Sequence, residues 1–142
     1  MTGNYVLIGQ TPVVEPDLLT WARWFEENDR RVALSRVLDI AVVSTVFLGI
    51  DHNYFRFAGY GKPLLFETMV FWEDEGGEEQ DRCSTWAEAE AMHAAMVREA
   101  GAPRTYFAHL LRQARGALRE ARDSLREAIK ELRWHSAPCD RS

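Results

Sequence analysis

A chain of 142 residues, 46% apolar and 27% charged, fits one globular domain with enough length to bury a core. No run approaches the ~20 apolar residues that cross a bilayer, so no membrane partner is expected. The net charge of −5 is uneven: residues 1–102 carry 8 Lys and Arg against 17 Asp and Glu, and residues 103–142 carry 9 against 5. The arginines of the basic tail alternate with carboxylates, as on a solvated helix face, which argues against a DNA or RNA polymer as partner.

The opening MTGNYVLIGQTP lacks the basic start and long apolar core of a secretory signal. Cys83 and Cys139 show no CxxC spacing, which argues against a disulfide framework or a metal site and points to a reducing, cytoplasmic setting. Tyr5 to Ile8 reads as a short strand that Gly9 ends. Pro16 suits the first turn of a helix running to Glu27, with Leu18, Leu19, Ala22 and Phe25 on one side. Arg30 to Val37 alternates as a half-exposed strand, with Val32 and Leu34 set against Arg31, Ala33 and Ser35.

Two apolar runs follow, Val42 to Ile50 (VVSTVFLGI) and Leu64 to Trp72 (LLFETMVFW). Branched and aromatic residues pack well on a pleated surface, so the runs read as paired strands. Between them lie thirteen residues, DHNYFRFAGYGKP, where a hairpin needs only two to five. A long loop rich in polar and aromatic residues on a rigid scaffold is characteristic of recognition. After Trp72, EDEGGEEQD reads as a solvent-exposed connection that cannot pack. Thr85 and Glu88 then have capping-box spacing and start a helix over Trp86 to Ala100, which Gly101 and Pro103 end.

In the last helix, residues 104–134, Leu111, Leu118, Leu125 and Leu132 recur every seven residues, and Ala114, Ala121 and Ala128 fall three after the first three. This is a heptad seam of leucine against alanine. A 30-residue helix of ~45 Å outruns a small sheet, which favours self-association over folding back. The expected architecture is α+β: an antiparallel sheet of roughly four strands packed with helices, over residues 1–102. Residues 103–142 form a long amphipathic extension for oligomerisation. No regular βαβ alternation appears, which argues against a doubly wound sheet.

Candidate site residues cluster around the long loop. Asp51, His52 and Asn53 read either as a ligand-facing cluster or as turn chemistry, and for His52 the first is favoured because a turn does not require histidine. Glu67, between Leu65 and Met69 on one strand face, needs a partner such as Arg82, Arg31 or a ligand. Arg56, Lys62 and Arg82, with Tyr54, Phe55 and Phe57, offer cations beside stacking surfaces, as nucleotide recognition requires. Ser84 and the amides that begin the following helix suit phosphate oxygens. Phosphate-binding glycine loops, HExxH and GxSxG are absent. Cys83 precedes a helix start, where a thiolate is favoured, although such a cysteine is more often a small buried residue.

Three strings, VSTVFLGIDHNY (43–54), PLLFETMVFW (63–72) and RCSTWAEAEAMHAAM (82–96), resemble a small bacteriophage and prophage family, the first described family of phage anti-Thoeris proteins. The resemblance covers about residues 40–96. Cys83 and Met92 depart from the Tyr and Gly of the family pattern, and the final helix lies outside it. The resemblance implies a sponge that binds a signalling nucleotide, a cyclic ADP-ribose isomer or a cyclic oligonucleotide, without cleaving it. It also implies dimers or hexamers in the host bacterial cytosol, with no cofactor. The alternatives are a small hydrolase or phosphodiesterase using Asp51, His52 and Glu67, and an inhibitor that binds a host defence protein directly.

Overall fold

The computed structural model of the chain describes residues 3–54, 61–73 and 78–135. Strands β1 (Tyr5–Ile8) and β2 (Thr11–Val14) form a hairpin of their own, followed by helix α1 (Leu18–Glu27). Strands β3 (Arg31–Val37), β4 (Ala41–Phe47), β5 (Phe66–Trp72) and β6 (Glu78–Cys83) then form one antiparallel sheet in chain order. Helices α2 (Trp86–Ala100) and α3 (Pro103–His135) complete the chain. The architecture is α+β with a four-strand antiparallel sheet, as the sequence leads one to expect. Among the described residues, no helix is long and apolar enough to cross a membrane.

The two central strands pair in the register that their alternation demands. Val43 faces Val70, Thr45 faces Thr68 and Phe47 faces Phe66. These six side chains point to one face, and all are 2% exposed or less. On that face α2 packs across all four strands. Ala89 lies against Phe47 and Phe66, and Ala100 lies against Val37, Val43 and Val70, which places one apolar cluster at each end of the sheet. Burying side chains of this size stabilises the fold by about 1.5–3 kcal/mol each before entropy is counted. The alanines of α2 let its backbone approach closely.

The opposite face presents Val42, Ser44, Val46, Glu67 and Met69, all half-buried, with Phe71 and Leu34 more exposed. At the end where β4 leaves the sheet, Gly49 adopts φ +72, a region disfavoured for side chains. A Cβ there would lie 2.9 Å from the Phe25 ring, and the Gly49 carbonyl accepts a bond from Trp21 Nε1 at 2.9 Å. The close approach docks α1 against the end of the sheet.

Four local expectations need correction. The Tyr5–Ile8 strand does not join the main sheet; its hairpin caps one end through Tyr5 N donating to the Gly49 carbonyl. The fourth strand is β6, made partly of the acidic stretch read as an unpacked connection. An edge strand needs only backbone pairing on one side, and Glu79 to Arg82 obtain it from β5. In β3 a register shift between Arg31 and Ala33 reverses the alternation, so Leu34 is 54% exposed and Ser35 faces α2. Pro16 lies ahead of the helix rather than in its first turn, because Asp17 is the cap and accepts from Thr20 N at 2.7 Å.

The last helix begins inside the body. Tyr106 packs on the Val37–Ala100 cluster and His109 is 1% exposed. From Leu110 to Leu132 every residue is exposed, including Leu111, Leu118, Leu125 and Leu132.

Candidate functional site

Asp51 closes the base of the long loop. Its Oδ1 accepts from Asn53 N at 2.9 Å and from Leu64 N at 3.0 Å, thirteen residues on, and the residue is 8% exposed. Asn53 Nδ2 donates to the Lys62 carbonyl at 2.8 Å, and His52 N donates to the Leu64 carbonyl at 3.0 Å. Short polar side chains that bond nearby backbone are the usual means of fixing a turn. Of the two readings of Asp51 and Asn53, the turn chemistry is the one observed: both residues bond backbone, and their bonds hold the two ends of the loop together. His52 is half-buried and Tyr54 is 76% exposed. Phe55, Arg56 and Phe57 lie outside the described residues.

Glu67 finds its partner across the strand pair. Glu67 and Arg82 are register partners on β5 and β6, so their side chains emerge on the same face. Arg82 Nη2 lies 2.6 Å and Nε 2.7 Å from Glu67 Oε2, with the side chains 27% and 12% exposed. Arg31, the other partner considered, sits on the far edge strand β3. Both contacts run to the same carboxylate oxygen, so Oε1 is not part of the pair.

At the start of α2 the capping box forms as its spacing suggests: Glu88 N donates to Thr85 Oγ1 at 3.2 Å. Glu88 Oε2 accepts from both Ser84 N and Thr85 N at 3.0 Å. The Ser84 amide bond, with the Thr85 donors behind it, holds the Glu88 carboxyl below its ordinary range. Those amides are therefore already paired with an anion, Glu88, and are not free to receive phosphate oxygens as expected. Beside them, burial pushes the Cys83 thiol up to about 11, with Glu88 adding to the effect. The small buried residue is thus the nearer reading for Cys83, which packs partly buried beside Phe66, where burial outweighs the helix start.

These pieces share one end of the sheet. Leu48 N donates to the Leu65 carbonyl and Leu65 N to the Cys83 carbonyl, so the loop base, the start of β5 and the β6–α2 junction lie side by side. Glu67 follows Leu64 by three residues, ~10 Å along the strand. Asp51, His52, Asn53 and Ser84 thereby lie toward one end of the sheet, and Glu67 and Arg82 stand near that end on the face turned away from α2. A shallow cavity of about 330 Å³, bounded by Trp72, Glu79, Glu99 and Arg104, lies at the other end of the sheet. Its cation is already committed, since Arg104 Nη2 lies 2.6 Å from Glu99 Oε2.

A polar chain that the sequence reading missed runs under the sheet. His93 on α2, 8% exposed, has Nε2 2.9 Å from Ser35 Oγ and Nδ1 2.8 Å from Thr45 Oγ1. Thr45 Oγ1 in turn lies 2.7 Å from Thr68 Oγ1. One ring nitrogen donates and the other accepts, so every member of the chain is hydrogen-bonded. Its sequence signal was the inward phase of VVSTVF, which places Thr45 between Val43 and Phe47. Burial lowers the His93 pKa from its ordinary 6.5. The Ser–His pairing lies between α2 and the sheet, where α2 itself covers it, and it reads as a structural network.

Among the described residues, no group of three or more His, Cys, Asp and Glu is placed to hold a metal ion. Comparison of the chain with protein-family models, curated proteins and solved structures gives no match.

Proposed function

We propose that this protein is a phage anti-defence sponge that binds a signalling nucleotide, a cyclic ADP-ribose isomer or a cyclic oligonucleotide, in the host bacterial cytosol and releases it intact. The observation that carries the reading is the closed loop base. Asp51 and Asn53 tie together the ends of a segment whose sequence, NYFRFAGYGK, combines aromatic faces with Arg56 and Lys62. Beside it, Glu67 Oε1 is an acceptor for a ribose hydroxyl or an adenine amine, and Arg82 supplies cationic character. The resemblance of residues 40–96 to the anti-Thoeris family supports the same reading.

Binding is favoured over hydrolysis by what the carboxylates already do. Asp51 accepts two backbone N–H groups and Glu67 is ion-paired, so neither is poised as a general base. The proposal includes self-association, as a dimer or hexamer, through the exposed leucines of α3. Binding in an assembly suits a small chain, which has few enclosed pockets of its own.

The test is incubation with cyclic ADP-ribose isomers and cyclic oligonucleotides, followed by heat denaturation and chromatography of the released ligand. Intact ligand recovered from the protein fraction supports the sponge; altered ligand makes the protein an enzyme. No retention of any nucleotide leaves direct binding to a host defence protein as the surviving alternative. In calorimetric titration, His52→Ala and Arg56→Ala should each weaken binding ~10- to 100-fold, from the ~1.5–3 kcal/mol of a charge-assisted contact. Wild-type affinity in both places the site elsewhere.

A further inference from the structure

We infer that α3 pairs with α3 of a second copy in an antiparallel manner, about a two-fold axis passing between Arg119 and Glu120. This rests on the proposed self-association and adds its orientation and register. The seam places Leu111, Leu118 and Leu125 at one core position of the heptad and Ala114, Ala121 and Ala128 at the other, all exposed along a helix that leaves the body after His109. In a parallel pair like positions meet, so leucine layers that force the helices apart would alternate with alanine layers that require close approach. In an antiparallel pair each layer holds one leucine and one alanine, and a single helix spacing satisfies all of them.

The register follows from the sequence. Leu111 meets the partner copy's Ala128, Leu118 its Ala121 and Leu125 its Ala114, with the reciprocal contacts generated by the two-fold. The same register brings Leu132, 69% exposed, onto Phe107 of the other copy, 63% exposed and one heptad before Ala114. Both side chains are largely exposed, and the pairing buries each against the other.

Charge points the same way. Residues 1–102 carry 8 basic against 17 acidic residues, and residues 103–142 carry 9 against 5. Parallel pairing sets two acidic bodies side by side, whereas antiparallel pairing keeps them at opposite ends of the seam. The opposing feature is local: Arg115 and Arg122 of the two copies flank the same layers. That repulsion is between exposed, salt-screened side chains and is weak beside the packing of four leucines.

The test uses the full chain. Leu111→Cys and Ala128→Cys are made singly and together, oxidised mildly, and mapped by mass spectrometry so that the native cysteines are accounted for. Antiparallel pairing gives an interchain link in the double variant and in a mixture of the two single variants, and none between like positions in either single variant. Links between like positions in each single variant overturn the antiparallel inference and leave self-association standing. A monomeric wild type in light scattering overturns both. As an independent arm, Arg122→Glu creates an attraction with Arg115 of the partner copy and should tighten association ~2- to 5-fold; unchanged or weaker association contradicts the register.

Discussion

Arg82 and Glu67 meet across β5 and β6 with two guanidinium nitrogens 2.6 and 2.7 Å from one carboxylate oxygen, on the sheet face turned away from α2. At 12% and 27% exposure the pair is partly withdrawn from water, so its coupling should exceed that of a surface pair. A double-mutant cycle with Glu67→Ala and Arg82→Ala should give a coupling of about 1–2 kcal/mol in urea unfolding. A value below about 0.5 kcal/mol would mean that solvent screens the pair. Arg82→Ala alone should lower stability as well as ligand binding, since it strands a carboxylate beside Val46 and Met69.

Asp51 is expected to matter for the fold before it matters for any ligand. Asp51→Ala removes the acceptor for two backbone amides at a site 8% exposed. The loss should be about 2–3 kcal/mol. Asp51→Asn keeps one oxygen and should fall between. If Asp51→Ala unfolds like the wild type while ligand binding disappears, the residue is a ligand contact and not the closure of the loop.

His93 should make stability depend on pH. Burial holds its folded pKa below the ordinary 6.5, so as pH falls through 6.5 the unfolded chain takes up a proton that the folded chain refuses. The unfolded state then binds more protons, and stability falls with pH. The contribution is complete above about 6.5 and is lost as pH drops toward the folded value. Urea midpoints between pH 7.5 and 5.5 should therefore decline in the wild type and be flatter in His93→Gln. The lowered Glu88 carboxyl acts in a separate window, below its ordinary 4.5. Parallel pH curves for wild type and variant would show that His93 is not the group responsible.

The β3–β4 turn offers a stabilising change. Leu38 and Asp39 both adopt positive φ, +48 and +53, and Ile40 N donates to the Val37 carbonyl at 3.0 Å. That is the turn for which Asn-Gly is favoured, and leucine there is strained. Leu38 is 58% exposed, so little burial is lost on its replacement. Leu38→Asn with Asp39→Gly should raise stability by about 1–2 kcal/mol, read as a higher melting temperature. A lower melting temperature would show that the leucine side chain contributes packing that outweighs the strain.

Local chemistry was legible wherever a residue's own neighbours settle its state. Branched and aromatic content placed β4 and β5, because such side chains pack well on a pleated surface. Thr85 and Glu88 announced α2, since a capping box is closed by residues three apart. The glycine and proline after Ala100 ended α2, and the leucine–alanine repeat gave α3 its exposed stripe. The polar content of the 51–63 loop singled out the region where Asp51 and Asn53 tie backbone together.

Tertiary structure decided what depends on partners distant in the chain. Glu79 to Arg82 become a strand only because β5 offers a free edge, and nothing in their acidic composition favours one. Leu34 turns outward because a one-residue shift near Val32 reverses the phase of β3, which no periodicity count reveals. Glu67 carried a demand for a cation in its sequence, but whether Arg31 or Arg82 met it depended on strand order. His93 became part of a buried network only once α2 was laid across Ser35 and Thr45, since a helix face acquires its environment from what it covers.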